Sequence, residues 1–136
     1  MIRILLATSA ALLSQTALAQ SVEVAEGDWS DIPAVSNAGG PAYISERLMG
    51  QIDKLLAAGK CPSVGNRKYA DLNVPILVQF DGADQVQKIV VRRIGCPEVE
   101  AIVGAIAAGR AKQSYYRSNG KNQTGWYRSE ISYSFN

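Results

Sequence analysis

Residues 74–98, VPILVQFDGADQVQKIVVRRIGCPE, decide the fold of this chain. Apolar side chains recur at every second position from Val74 to Phe80, which predicts a strand with one buried face. Gly82 lies inside a polar turn, so residues 86–94 are expected to return as the second strand of a hairpin. The return strand is apolar on both faces, which indicates a central position in the sheet.

Two helices are predicted to flank this hairpin. The first spans residues 46–58, with Ser45 as its N-cap and Gly59 as the residue that ends it. The second begins at Pro97, because proline is favoured in the first turn of a helix, and Gly109 is expected to end it. Each helix carries a stripe of apolar residues at helical spacing, which favours packing against a sheet. The stripes are Leu48, Ile52, Leu55 and Leu56 in the first helix and Val99, Ile102, Val103 and Ile106 in the second.

A last strand is predicted over residues 126–135, and alternation divides its side chains between two faces. One face carries Tyr127, Ile131, Tyr133 and Phe135, and the other carries Trp126, Arg128 and Glu130. The expected fold class is therefore α+β, with two helices packed on one face of a small, mostly antiparallel three-stranded sheet. Pro75 cannot donate to a ladder, so the first strand is expected to begin there or to lie at an edge.

The N-terminal residues are typical of a secretory signal. Arg3 precedes an apolar stretch and a small-x-small site, which predicts a signal peptide over residues 1–19 with cleavage after Ala19. An uncleaved anchor is the alternative, but the stretch falls short of the about 20 apolar residues that span a bilayer, so no membrane span is expected after cleavage. A periplasmic protein is expected.

Residues 20–43 are interpreted as an N-terminal segment and linker. Its start, residues 21–24, alternates in the manner of a short strand, and Trp29 is expected to anchor the segment on the domain. Residues 44–136 are interpreted as the folded domain.

Cysteine content and charge narrow the possibilities further. Cys61 and Cys96 form an even count in an exported chain, which favours a disulfide. The alternative is a pair of free or redox-active thiols, for which the Cys-x-x-Cys spacing is missing. After removal of Arg3 with the signal, 13 basic and 12 acidic residues leave a net charge of +1, which gives no basis for nucleic-acid binding.

No catalytic residue, metal site or cofactor is predicted. Histidine is absent, which excludes histidine-based catalytic triads and histidine-ligated zinc. Glu98 and Glu100 are expected to complement the dipole of the second helix, and Asp81 and Asp84 to stabilise the turn. The chain is therefore not predicted to be an enzyme.

The order of these elements resembles the C-terminal domain of TonB-type energy transducers and, more loosely, that of TolA. Residues 74–80 with Asp81-Gly82 resemble the first strand and turn of that family, and residues 87–93 resemble its second strand. Gly95-Cys96-Pro97 stands where the family opens its helix, and residues 126–135 resemble its final edge strand. The chain carries a signal in place of the family's membrane anchor and long spacer, so energy transduction in the usual sense is not expected.

The resemblance implies a protein-interaction module that captures an extended segment of an envelope protein, such as an outer-membrane receptor, by strand addition at the last strand. The residues expected to contact the partner are Trp126, Arg128, Glu130, Tyr116, Arg117 and Lys121. An alternative is a stand-alone periplasmic binder or inhibitor that holds a protein or an anionic envelope ligand through a basic-aromatic loop. In this loop basic residues interleave with aromatic ones: Arg110, Lys112, Arg117, Lys121 and Arg128 with Tyr115, Tyr116, Trp126 and Tyr127. The same loop is also compatible with a solvated surface whose aromatic side chains pack against the sheet. The sequence does not specify the partner or the oligomeric state.

Overall fold

The computed structural model of the chain describes residues 21–37, 44–61, 72–83, 85–117 and 124–133. Within these ranges no helix is long and apolar enough to cross a membrane. The predicted signal peptide lies outside them. The elements in chain order are β1 (Ser21–Ala25), β2 (Ser36–Asn37), α1 (Glu46–Ala57), β3 (Leu72–Phe80), β4 (Val86–Arg92), α2 (Pro97–Lys112), β5 (Tyr116–Arg117) and β6 (Gly125–Tyr133).

The fold is α+β, as predicted, but the main sheet has four strands rather than three. The strand order is β1-β4-β3-β6, so β4 is central, as its two apolar faces indicated. β1 is the additional strand and pairs parallel with β4, whereas the other two pairs are antiparallel. Residues 21–25, assigned from the sequence to a segment that precedes the domain, therefore form one edge of the sheet. A separate two-stranded ribbon joins β2 to β5.

Pro75 lies inside β3, which corrects the prediction that the strand begins there or lies at an edge. β3 begins at Leu72 and is flanked by β4 and β6. The ladder with β6 spans the whole strand, but the ladder with β4 ends at the pair Ile76–Val91. The next pair would need an N–H group from Pro75, which proline lacks. The sheet accommodates Pro75 because this residue lies just beyond the last pair between β3 and β4.

The main core lies between one face of the sheet and the two helices. Every second residue of β3 from Leu72 to Phe80 is buried there, together with Ile52 of α1 and Val103 of α2. Both predicted helical stripes are confirmed, with their central residues buried and Leu48, Leu55 and Ile102 partly buried. At about 25 cal/mol per Å² of apolar surface, this burial is the main stabilising contribution to the fold.

The termini of α1 follow the sequence prediction. Ser45 Oγ accepts a hydrogen bond from the N–H of Leu48 at 3.4 Å. Gly59 has φ +69° and its N–H bonds to Leu56 O, while the following amide bonds one residue further back. This is the Schellman arrangement, in which glycine adopts the left-handed conformation at little steric cost.

α2 begins at Pro97 as predicted, but the prediction that it ends at Gly109 is wrong, since the helix continues to Lys112. The helix continues because Ala111, beyond the glycine, is buried in the core. The left-handed residue after the helix is Ser114, with φ 55°, and its amide bonds back to the last turn.

Glu100 ties the loop that precedes α2 to the helix itself. Its side chain is only 4% exposed, and Oε1 accepts hydrogen bonds from the N–H groups of Ile94 at 2.7 Å and Gly95 at 3.2 Å. A carboxylate in this position interacts favourably with the positive end of the helix dipole and accepts hydrogen bonds from two loop amides. The role predicted for Glu100 therefore extends beyond the helix dipole to the loop.

The predicted disulfide is present between Cys61 and Cys96, which are both buried. It joins Cys61, which follows α1, to the residue that precedes α2. The two cysteines are 35 residues apart in sequence. On the chain-entropy model, closing a loop of that length stabilises the fold by about 3–4 kcal/mol.

Gly104 allows α2 to lie close to β1. A Cβ atom at this position would lie 2.7 Å from Cγ1 of Val22 and 3.6 Å from Cγ2 of Val91. Val22 is β-branched and therefore stiff about χ1, so it cannot easily turn away from an added methyl group. The glycine thus sets the distance at which the parallel edge strand packs under the helix.

We predict that the effect of Gly104→Ala on the free energy of unfolding changes sign when Val22 is replaced by alanine. In the wild-type background the clash with Val22 outweighs the about 1 kcal/mol gain in helix propensity, so the free energy of unfolding falls by about 1 kcal/mol. In a Val22→Ala background the same substitution raises the free energy of unfolding, because the obstructing methyl is gone. Urea unfolding of the four proteins measures both effects, and equal stabilisation in both backgrounds would contradict the close approach.

Candidate functional site

β6 lies at an edge of the main sheet, in agreement with the edge position implied for the last strand. It is nine residues long and pairs with β3 along its length. Main-chain groups of neighbouring strand residues bond to opposite sides. The main-chain groups of Arg128 bond outward, away from β3. The alternation therefore directs the main-chain groups of Glu130 and Ser132 outward, and those of Ser129 and Ile131 inward toward β3.

Residues 32–37, which we call the strap, cross this outer edge. The N–H of Arg128 donates to Pro33 O at 2.9 Å, and the N–H of Val35 donates to Arg128 O at 2.8 Å. The side chain of Arg128 also donates from Nε to Ile32 O at 2.7 Å. The contact is a single parallel bridge, after which the strap leaves β6 and pairs with β5.

Trp29 anchors the chain just ahead of the strap. It lies on the second face of the sheet, opposite the helices, where it packs against Leu77 and Val90 and is 8% exposed. Ala25, Ile32 and Trp126 pack around this small cluster. The prediction that Trp29 is an anchor is confirmed. Burial of an indole of this kind stabilises a fold by about 3–5 kcal/mol relative to alanine.

An open groove of about 400 Å³ lies on the second face between the strap and β6. Its lining includes Trp29, Val35, Pro75, Arg92, Arg128 and Glu130. Pro75 of β3 lies directly opposite Glu130 of β6 in the ladder. The small ring of the proline leaves room between the longer side chains on either side.

The charged groups of the groove are held by the loop that contains Trp29. Arg92 donates from Nη2 to Gly27 O at 2.7 Å, and its guanidinium lies 4.8 Å from the centre of the Trp29 ring. Its Nε is buried and has no hydrogen-bond acceptor among the described residues. A hydrogen bond from the N–H of Ser30 lowers the pKa of Asp28, so this carboxylate stays ionised. Positive and negative groups therefore share the groove with an aromatic wall.

The predicted contact residues do not form one surface. Trp126, Arg128 and Glu130 share the second face of β6, and the latter two line the groove. Arg117 is exposed in β5. Tyr116 is only 2% exposed, so the partner-contact role predicted for its side chain does not fit its position. Lys121 lies outside the described residues.

Tyr116 belongs to the main core. Its ring packs edge-on against Tyr115 with centroids 5.2 Å apart, and Arg110 lies over the Tyr115 ring at 5.4 Å. Burial raises the pKa of Tyr116 to about 12, although the nearby charge of Arg110 acts in the opposite direction. The basic-aromatic loop is thus divided, with some of its aromatic rings turned inward.

Sequence analysis did not identify Arg92, Val35 or Pro33 as site residues. Arg92 ends an apolar strand, and its alignment with Glu130 across Pro75 depends on the registers of two separate ladders. Pro33 and Val35 lie in a segment without periodicity. The available signal was Trp29, because a buried aromatic residue implies that its flanking chain also contacts the domain.

No group of three or more potential metal ligands occurs in the ranges that the structure describes. Oδ1 of Asp81 accepts hydrogen bonds from the N–H groups of Ala83 at 2.8 Å and Gln85 at 3.0 Å. This is the turn-stabilising role predicted for Asp81, while Asp84 lies outside the described residues.

Comparison with protein-family models, with curated proteins and with solved structures finds no match to this chain.

The raised pKa of Tyr116 predicts a pH-dependent stability. Below pH 10 the hydroxyl is protonated in both the folded and the unfolded state, so stability is unaffected. Between pH 10 and about 12 only the unfolded state loses the proton, so the free energy of unfolding falls with rising pH, by roughly 1.4 kcal/mol per unit. We expect Tyr116→Phe to show a shallower decline over this range in urea unfolding. Parallel curves for the two proteins would contradict the burial of the hydroxyl.

Proposed function

We propose that this chain is an exported protein-interaction module that captures an extended segment of an envelope protein by strand addition at the outer edge of β6. The observation that carries the proposal is the state of this edge. β6 is held in register by a nine-pair ladder with β3. On its outer side, β6 forms main-chain hydrogen bonds with the strap at Arg128, and these are the ones that the described residues make to this edge.

An edge strand of this kind presents a row of main-chain donors and acceptors to an incoming chain. Main-chain hydrogen bonds supply affinity in strand addition, and side-chain contacts supply selectivity. The outward N–H and C=O groups of Glu130 and Ser132 extend the row beyond Arg128. Side chains of the incoming segment would meet the groove, where Arg92 supplies a positive charge and Trp29 an apolar wall.

The proposed location is the periplasm, with a signal peptide removed after Ala19. The Cys61–Cys96 disulfide supports this location, because such bonds persist in oxidising compartments. The proposed partner is an envelope protein such as an outer-membrane receptor, in line with the resemblance to TonB C-terminal domains. That resemblance rests on the residues quoted from the sequence.

The basic-aromatic loop is less favoured as the binding surface. Tyr116 and Tyr127 are buried, and so they contribute to the core rather than to an exposed aromatic platform. Arg110 lies against Tyr115 within the same part of the structure. β6, by contrast, borders an open groove, and among the described residues the main-chain bonds to its outer edge are those of the strap to Arg128.

We predict that Glu130→Pro abolishes capture while Glu130→Ala preserves it. The N–H of Glu130 points away from β3, so proline removes an outward donor without removing a bond of the β3–β6 ladder. The alanine control loses the same side chain but keeps the N–H group. A random library of extended peptides selected on the wild-type protein supplies the probes, and their affinities for both variants are then measured.

Edge binding predicts at least tenfold weaker affinity for Glu130→Pro than for Glu130→Ala, with thermal unfolding showing that both variants are folded. Selected peptides that bind the two variants equally would place the binding surface elsewhere.

A further inference from the structure

We infer that the strap is a built-in competitor that occupies the partner site on β6 and must leave before a partner strand can pair there. This inference rests on the proposed function, since a competitor has meaning only where a strand is captured. It adds that, in the free protein, the strap already covers part of the outer edge of β6. It also specifies a partner segment that is extended, lies parallel to β6 and carries a small residue opposite Arg128.

The competition follows from the main-chain groups of Arg128. A residue has one N–H and one C=O, and Arg128 uses both for the strap, at 2.9 Å to Pro33 O and 2.8 Å from the N–H of Val35. A partner strand that runs along the whole edge needs these same two groups. The strap and the partner therefore cannot bind at Arg128 together.

The strap itself shows which orientation the edge accepts. The bridge to Arg128 is parallel, and in this orientation Ile32 O lies 2.7 Å from Nε of Arg128. Ala34 lines the groove, whereas the side chain of Val35 also packs against the main core. A partner that replaces the strap in the same orientation keeps the side-chain bond of Arg128 and places a small residue at the position of Ala34.

The strap is anchored at both ends. Trp29 is buried ahead of it, and Ser36–Asn37, its last two residues, pair with β5. Ile32 and Val35 are also partly buried. Between these points the pairing with β6 is a single bridge, because the chain then turns toward β5. A partner that continues along Glu130 and Ser132 forms more main-chain bonds than the strap does, and so it can displace the centre without releasing Trp29.

The test uses Val35→Pro, which removes the N–H that donates to Arg128 O, and Val35→Ala as its matched control. Alanine shortens the same side chain but keeps the donor. The probe is a synthetic peptide with the sequence of residues 30–37, SDIPAVSN, added at up to millimolar concentration to each ¹⁵N-labelled full-length protein. The amide resonance of Arg128 reports whether the strap is open, and shifts along β6 report peptide binding.

We expect the Arg128 amide to move upfield in Val35→Pro, as its bond to Pro33 O is lost. We expect this variant to bind the peptide about fivefold or more tightly than the wild type and Val35→Ala, since loss of one backbone bond shifts the strap equilibrium by about that factor. A spin label at the peptide N-terminus should broaden Trp126 more than Ser132, as parallel pairing requires.

The contrary outcomes separate the two proposals. If Val35→Pro opens the strap but binds no more tightly than Val35→Ala, the strap does not compete and the inference fails, while strand capture stands. An Arg128 amide that is unchanged in Val35→Pro also overturns the inference. If the strap opens and no protein binds the peptide, the edge does not accept a strand, and the proposed function fails with the inference.

Discussion

The alternation of main-chain groups along β6 is the constraint on which the functional interpretation depends. Each residue of a strand directs its N–H and C=O to one side, so a strand at the edge of a sheet always leaves half of its groups facing outward. Here the inward half is satisfied by β3 over the full nine-residue ladder. The outward half meets the strap at Arg128 and continues through Glu130 and Ser132. Under the proposed function, the inner ladder orders β6 and the outward main-chain groups would serve as a template for another chain.

The two faces of the sheet are stabilised very differently, which explains why the edge can be both ordered and adaptable. On the helical face, the disulfide, Glu100 and a continuous apolar core fix α2 and the strands. On the second face, the buried cluster is centred on Trp29, Leu77 and Val90. The loop that carries Trp29 also holds Arg92 through Gly27 O. Displacement of the strap would therefore alter the thin cover of one face and leave the main core intact.

The local features of the fold could be predicted from the sequence, since each has a local physical cause. The alternation in residues 74–80, the cap at Ser45, the stop at Gly59 and the start at Pro97 all appear as expected. The pairing of Cys61 with Cys96 was predicted from their even number together with the expected export signal, and the structure contains this bond.

The features that the sequence missed depend on distant partners. The short strand indicated by alternation at residues 21–24 is present, but no local signal specifies its parallel pairing with β4 in the main sheet. Pro75 was predicted to start the strand or to lie at an edge. It is tolerated inside β3 because the ladder with β4 ends next to it, and the sequence does not show where that ladder ends. The strap shows no alternation of apolar and polar residues in the sequence, since its pairing with β6 is a single bridge to Arg128. Tyr116 was assigned to the surface because a loop rich in basic residues gives no indication of which rings turn inward.

Amide hydrogen exchange along β6, measured by NMR in the free protein, distinguishes an open outer edge from a covered one. We predict strong protection at Ser129 and Ile131, which face β3, intermediate protection at Arg128, which the strap covers, and rapid exchange at Glu130 and Ser132. Protection of the Glu130 amide as strong as that of Ser129 would show that the outer edge is already covered, and would contradict the account.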